Sequence, residues 1–241
     1  MVTAEIAVRP AWPDEADRIE MLQRRSFRWL AARHYTPLEI ASALEYMGTF
    51  DPGLIDDGTY YVAETGGRLV GCGGWSFRPA LYGASYEERQ LDPGAEPARI
   101  RAIFVHPDWT GRGIARRLVA TAEAAAAQAG FRRFELLSTL NAEPVYVAVG
   151  YRALGRVRLE LLNGVGFVVT RMIRDLEGAA LPDALALGTD VARSRRRREV
   201  RRTDCRPYAG AAATARRADR TSRAGRWTDS EDTNRAGRSP G

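Results

Sequence analysis

The stretch H-P-D-W-T-G-R-G-I-A-R-R-L, residues 106–118, decides how this chain is read. Gly111 and Gly113 flank Arg112, and a run of good helix formers begins at Ile114. Glycine accepts backbone angles that other residues resist. A helix opening on a glycine turn presents N–H groups with no partner inside the helix, and the dipole adds partial positive charge there. That combination suits an anion. The same residues can also form a plain tight turn that caps a helix. Two better-known phosphate-binding patterns fail here. G-x-G-x-x-G has Arg116 at its third glycine, and the P-loop requires a lysine.

No lysine occurs anywhere; all 36 basic residues are arginine. That excludes the Schiff-base lysine and the kinase strand lysine along with the P-loop. The charge is uneven. Residues 1–175 carry 21 arginines and 21 acidic residues, whereas residues 176–241 carry 15 arginines and 9 acidic residues. The whole net charge of +6 therefore lies in the tail. An apolar fraction of 45% is normal for a globular chain. Cys72 and Cys205 stand alone, so neither a disulfide framework nor a Cys-x-x-Cys metal pair is expected, and no metal site is predicted. Cys72, within L-V-G-C-G-G-W, reads as a small buried residue. The first residues lack an apolar signal region and no stretch reaches membrane-spanning length, so a soluble cytoplasmic protein with no membrane partner is expected.

Around the glycine turn the chain divides into elements. Residues 4–11 alternate and predict a strand ended by Pro10. Pro13, Asp14 and Glu15 suit a first helical turn, and Ile19, Leu22, Phe27 and Leu30 predict an amphipathic helix, open to a break in two. Thr36 and Pro37 start a second short helix. Residues 58–77 predict a hairpin about Gly66-Gly67, followed by a polar loop over 78–98. A strand over 98–107 leads into the turn. The helix from Ile114 to Ala129 places Leu118, Ala122, Ala125 and Ala129 on one face, with Gly130 just past its end. Residues 131–139 predict the next strand, 143–151 a short helical turn, and 156–173 a hairpin about Asn163-Gly164. The order β-αα-β-β-β-α-β-α-β-β predicts an α/β or α+β domain with a mixed sheet over residues 4–175. Residues 176–241 have few apolar residues and no period, which predicts an arginine-rich disordered tail.

Gly113 and Ala115 match the last two fixed positions of Q/R-x-x-G-x-G/A, with Thr110 in place of the first. With "IFVHP" before the turn, "VYVAVGY" after it and the element order, the chain resembles the GNAT N-acetyltransferase superfamily over about residues 4–175. The resemblance implies an N-acetyltransferase that moves an acetyl group from acetyl-CoA directly to a primary amine of a small molecule or peptide. It implies that Gly111, Arg112, Gly113, Ile114, Ala115 and Arg116 hold the pyrophosphate. Main-chain groups of Ile103, Phe104 and Val105 would meet the pantetheine arm in a gap between splayed strands, and Tyr146 would face the CoA sulfur as the proton donor. The family often places a carboxylate base on the strand before the turn, but here that strand carries Arg99 and Arg101. His106, Glu96, His34, Glu64 and Tyr61 are no better, and no base is assigned. By the resemblance, residues 26–50 and 76–98 flank the acceptor groove and offer Trp29, His34, Tyr35, Tyr46, Trp75, Tyr82 and Tyr86, each of which is also an ordinary packing residue. A CoA-binding protein of this fold without catalysis is one alternative. Nucleic-acid binding through "RSRRRREVRR" of the tail is another, and a homodimer is a further candidate state.

Overall fold

The computed structural model describes residues 5–48, 50–83 and 89–176. The strand β1 spans Ala7–Pro10, and a 3₁₀ turn over Pro13–Glu15 leads into α1, Ala16–Ala31. The helix α1 is unbroken. Its buried positions Ile19, Leu22, Gln23, Ser26, Phe27 and Ala31 follow one helical stripe, so nothing in the pattern calls for a second start. Helix α2, Pro37–Tyr46, begins at a capping box in which the Glu39 N–H donates to Thr36 Oγ1 at 3.3 Å and the Thr36 N–H donates to the Glu39 carboxylate at 2.8 Å. A one-turn helix α3, Gly53–Asp56, was not anticipated from the pattern; four residues are too few to show a period.

Strands β2, Tyr60–Thr65, and β3, Arg68–Ser76, form the expected hairpin, with Gly66 and Gly67 both at positive φ. Strand β4 is Ala98–Val105 and helix α4 is Ile114–Gln128. The buried row of α4 is Ile114, Leu118, Ala122 and Ala126. Of the expected row, Leu118 and Ala122 are buried and Ala125 partly so, whereas Ala129 is the C-cap beyond the last helical residue and is exposed. Strand β5, Arg133–Ser138, helix α5, Glu143–Val147, and strands β6, Arg152–Glu160, and β7, Gly166–Asp175, complete the order. The last hairpin closes from Leu161 to Val165 with Gly164 at positive φ, a longer connection than a two-residue Asn-Gly turn.

The seven strands run β1-β2-β3-β4-β5-β7-β6 in one mixed sheet. Every neighbouring pair is antiparallel except β4 with β5. Alternate residues face opposite layers, as a pleated strand requires. Phe104 packs into the clusters of α1 and α2, while Ile103 and Val105 pack with Ile114 and Leu118 of α4. Helices thus cover both faces, and the α/β mixed-sheet expectation holds. Among the described residues no helix is long and apolar enough to cross a membrane. The arginine-rich tail, and with it the expectation of disorder and of nucleic-acid binding, lies outside the described residues.

Candidate active site

The sheet opens between β4 and β5. Their parallel pairing is limited to Ala98 with Phe134 and Arg99 with Glu135. Beyond that point β5 continues to pair with β7 and β4 with β3, but not with each other. The gap joins a cavity of about 820 Å³. It is lined by Ile103, Phe104 and Val105 of β4, by Gly111, Gly113, Ile114, Ala115 and Arg116 at the glycine turn, and by Tyr146 of α5. These positions, singled out in the sequence, come together. Arg112 does not join them: its guanidinium lies over the Trp109 ring, 4.3 Å from the centroid, and it is absent from the cavity lining.

The glycine turn has the geometry of an anion cradle. Gly113 is the N-cap of α4 in the left-handed region, with φ +75°, and Gly111 has φ +74°. The Arg117 N–H is the first to find an intrahelical acceptor, on Gly113 O at 3.1 Å. The N–H groups before it lie at the positive end of a 15-residue helix. A Cβ at Gly113 would meet nothing within 4 Å, so glycine is required there by backbone angle and not by crowding.

Strand β4 carries a bulge. Cys72 opposes Phe104 and Gly74 opposes Arg101, so Gly73 alone faces Ala102 and Ile103. Ala102 has φ +52°, the only positive φ at a non-glycine among the described residues. That conformation costs an alanine roughly 1–2 kcal/mol. Gly73 makes the room, because a Cβ there would lie 2.9 Å from Ile103 Cα. The His106 N–H donates to Val70 O on β3 at 2.9 Å. Alternation along the strand then turns the N–H groups of Val105 and Ile103 away from β3, toward the gap.

Tyr146 is buried, and burial pushes its hydroxyl well above the ordinary tyrosine range. Its ring packs edge-on against Tyr151 at 5.7 Å, and its hydroxyl makes no hydrogen bond to another described residue. Asn141 is a residue the sequence reading missed. It lines the cavity, and its Oδ1 is buried without a partner among the described residues. An orphaned acceptor of this kind calls for a donor from a bound molecule. A lone Asn in a turn-rich segment gives no signal in sequence. A second, smaller cavity of about 100 Å³ shares Phe27, Ile103, Phe104, Thr139, Ala142 and Tyr146 with the first, so the gap opens on two sides.

Among the candidate bases His34 alone lines the large cavity; Glu96, Glu64, His106 and Tyr61 lie outside it. Glu96 accepts from Arg89 and from the Asp92 N–H, and these bonds pull it down to about 2. Glu64 pairs with Arg9. His106 is buried and caps the 3₁₀ turn at Pro107–Trp109, its Nδ1 accepting from the Asp108 N–H at 3.3 Å. Desolvation, then Arg25 and Arg68, lower its pKa. His34 lines the large cavity and Tyr82 the small one. Tyr35 and Trp75 belong to the core: Tyr35 stacks on Phe167 and Trp75 packs against Phe131. Trp29 and Tyr46 are exposed, and Tyr86 lies outside the described residues. Arg99 and Arg101 serve structure. Arg99 pairs with the buried Glu135, which also takes Arg171, and Arg101 holds Asp51 at 3.0 Å. Cys72 is fully buried, as expected, and burial lifts its thiol to about 12. Among the described residues no three metal-ligating side chains cluster.

A mixed sheet parted beside a glycine-opened helix defines an acyl-CoA transferase class of fold, and sequence comparison agrees. The acetyltransferase (GNAT) family model matches residues 17–151, more than half of the chain, and the protein belongs to this family. Solved structures of similar fold include a GCN5-related N-acetyltransferase, described as Aminotransferase, Class-II, from Rhodopseudomonas palustris. It is 23% identical with a TM-score of 0.54, covering 73% of this chain and 99% of that one. The PaiA N-acetyltransferase from Thermoplasma acidophilum, in complex with coenzyme A, is 14% identical with a TM-score of 0.50, covering 71% and 99%. No curated protein matches the sequence.

Proposed function

We propose that the protein transfers an acetyl group from acetyl-CoA directly to a primary amine. One observation carries this reading: the glycine-capped N-terminus of α4, Tyr146, whose hydroxyl has no partner among the described residues, and Ile103 to Val105 of β4 line the same cavity. The α4 end and Arg116 receive the pyrophosphate. The orphaned Asn141 Oδ1 suits an amide N–H of the pantetheine arm. Acetyl-CoA supplies the activated thioester. The Ile103 and Val105 N–H groups stabilise the oxyanion that develops on its carbonyl. Tyr146 donates a hydrogen bond to the departing sulfur. The ordinary pKa is about 10 for tyrosine and about 8.5 for a thiol, so complete proton transfer is uphill by roughly 2 kcal/mol. Burial raises the tyrosine further. Tyr146 therefore acts as a donor that keeps its proton through most of the step. The amine enters through the smaller cavity, where Leu81, Leu159 and Val169 suit an apolar body, and loses its proton to water.

A panel of primary amines, assayed for CoA release with acetyl-CoA, tests the reading. The expected result is amine-dependent release with a matching acetylated product. Tight acetyl-CoA binding without transfer to any amine would point instead to a CoA-binding protein without catalysis.

A further inference from the structure

The strained bulge of β4 is tied from behind. The Tyr60 hydroxyl donates to Ala102 O at 3.0 Å, and Gln23 Nε2 donates to the same hydroxyl at 2.6 Å. Tyr60 and Gln23 are both buried, on β2 and α1 respectively, and Tyr60 lines neither cavity around the gap. The bonded carbonyl belongs to the one non-glycine residue at positive φ among the described residues. In a trans peptide the C=O and the following N–H point in opposite directions within one plane. Holding Ala102 O therefore fixes the direction of the Ile103 N–H, which alternation along β4 turns toward the gap.

We propose that Tyr60, held by Gln23, is a positioning residue that locks the Ala102–Ile103 peptide plane so that the Ile103 N–H faces the thioester carbonyl. The inference rests on the acetyl-transfer reading for its chemistry, but the tie itself is a property of the fold. Three elements meet at this point. Helix α1 supplies the anchor, β2 the donor and β4 the strained acceptor. Opposite them Gly73 leaves space for the bulge and gives it no directional hold. Without the hydroxyl, Ala102 is free to return to an ordinary strand conformation, and the Ile103 N–H swings with it.

Three variants of the full chain decide the matter: Tyr60→Phe, Ala102→Gly and the two combined. Glycine takes a positive φ without the alanine penalty, so Ala102→Gly removes the need for the tie. Tyr60→Phe is expected to lower kcat about tenfold, less than the roughly 10²–10³-fold measured elsewhere for outright loss of an oxyanion donor. KM for acetyl-CoA stays within about twofold, because the pyrophosphate is held elsewhere. The double variant recovers most of the rate. A purely structural role for Tyr60 would not be rescued by a glycine at 102, so unrestored activity overturns the proposal, as does full activity in Tyr60→Phe. Crystal structures give an answer independent of catalysis. Ala102 should leave the positive-φ region in Tyr60→Phe and residue 102 should keep it in the double variant; an unchanged bulge in Tyr60→Phe also overturns the proposal. If the wild type fails to transfer acetyl groups, the functional reading falls, and the φ at 102 still settles the tie. Should Tyr60→Phe not fold, Gln23→Met loosens the same hydroxyl, with a smaller loss in the same direction.

Discussion

The two ends of β4 are built on opposite terms. At its start, Ala98 and Arg99 pair with β5, and two arginines, Arg99 and Arg171, converge on the buried Glu135. Arg101 is likewise paired with Asp51. At its end, Ala102 to Val105 carry a backbone bulge, no pairing to β5 and no charged side chain. The closed end spends its charges on holding strands together. The open end leaves main-chain groups facing a cavity. A sheet can part along one line only if the other end of that line is fastened, because each unpaired strand edge gives up ladder hydrogen bonds. Arg99 on this strand, with Arg171 of β7, supplies the fastening through Glu135 of β5, whereas Arg101 ties β4 to Asp51 in the connection before α3.

The largest effect should come from breaking the closed end. Glu135→Ala leaves the largely buried Arg99 and the partly exposed Arg171 without their shared counter-charge; breaking a buried pair typically costs about 3–5 kcal/mol, and solvent at Arg171 places the loss near the lower end. Denaturant unfolding measures it, and a loss below about 1 kcal/mol would mean that the ion pairs do not fasten the strands.

Next comes the glycine turn. In Gly113→Val a β-branched residue must adopt a φ of +75° or distort the turn. Backbone strain of about 1–2 kcal/mol and a misaimed helix end worth up to about 2 kcal/mol together predict roughly a hundredfold weaker acetyl-CoA binding. The fold should stay intact. Calorimetry reads the affinity and circular dichroism the fold; unchanged affinity would remove the turn from the site.

Tyr146→Phe keeps the ring against Tyr151 and removes the hydroxyl. General acid catalysis is worth about 10²–10⁴-fold, and a thiolate is already a fair leaving group, so kcat should fall about 10–100-fold with little change in acetyl-CoA affinity. If binding collapses and kcat holds, the tyrosine packs the cofactor and does not serve the sulfur.

The smallest effect belongs to the loop before β4. Glu96 is held at about 2, below its ordinary 4.5, first by Arg89 and then by the Asp92 N–H. A carboxylate lowered by folding adds stability above its unfolded value, and that stability is lost as pH falls from about 4.5 toward 2. Glu96→Gln should flatten this acid limb of a melting-temperature profile and shift it only slightly at pH 7, since Arg89 is more than half exposed. An unchanged acid limb would show that the pair does not outlast solvent competition.

Some of this architecture was legible in residue order. The Gly66-Gly67 hairpin, the Thr36 cap and the Gly113 helix start are local, and each follows from what a few neighbouring residues can do with their own backbone. The mixed sheet followed from the succession of elements. The positions 103–105, 111, 113–116 and 146 were picked out by motif order, and they line one cavity. What the sequence could not determine is what distant residues do to one another. The pairing of Arg101 with Asp51 spans 50 positions, and the Tyr60 bond to Ala102 O spans 42. Arg112 resembles its neighbours in sequence yet stacks on Trp109. Asn141 stands out only because packing buries its Oδ1 with no partner among the described residues. Local propensity is set by a residue and its neighbours along the chain, so sequence carries it. Strain, orphaned polar atoms and shared counter-charges exist only after remote segments are packed together, so tertiary structure alone decides them.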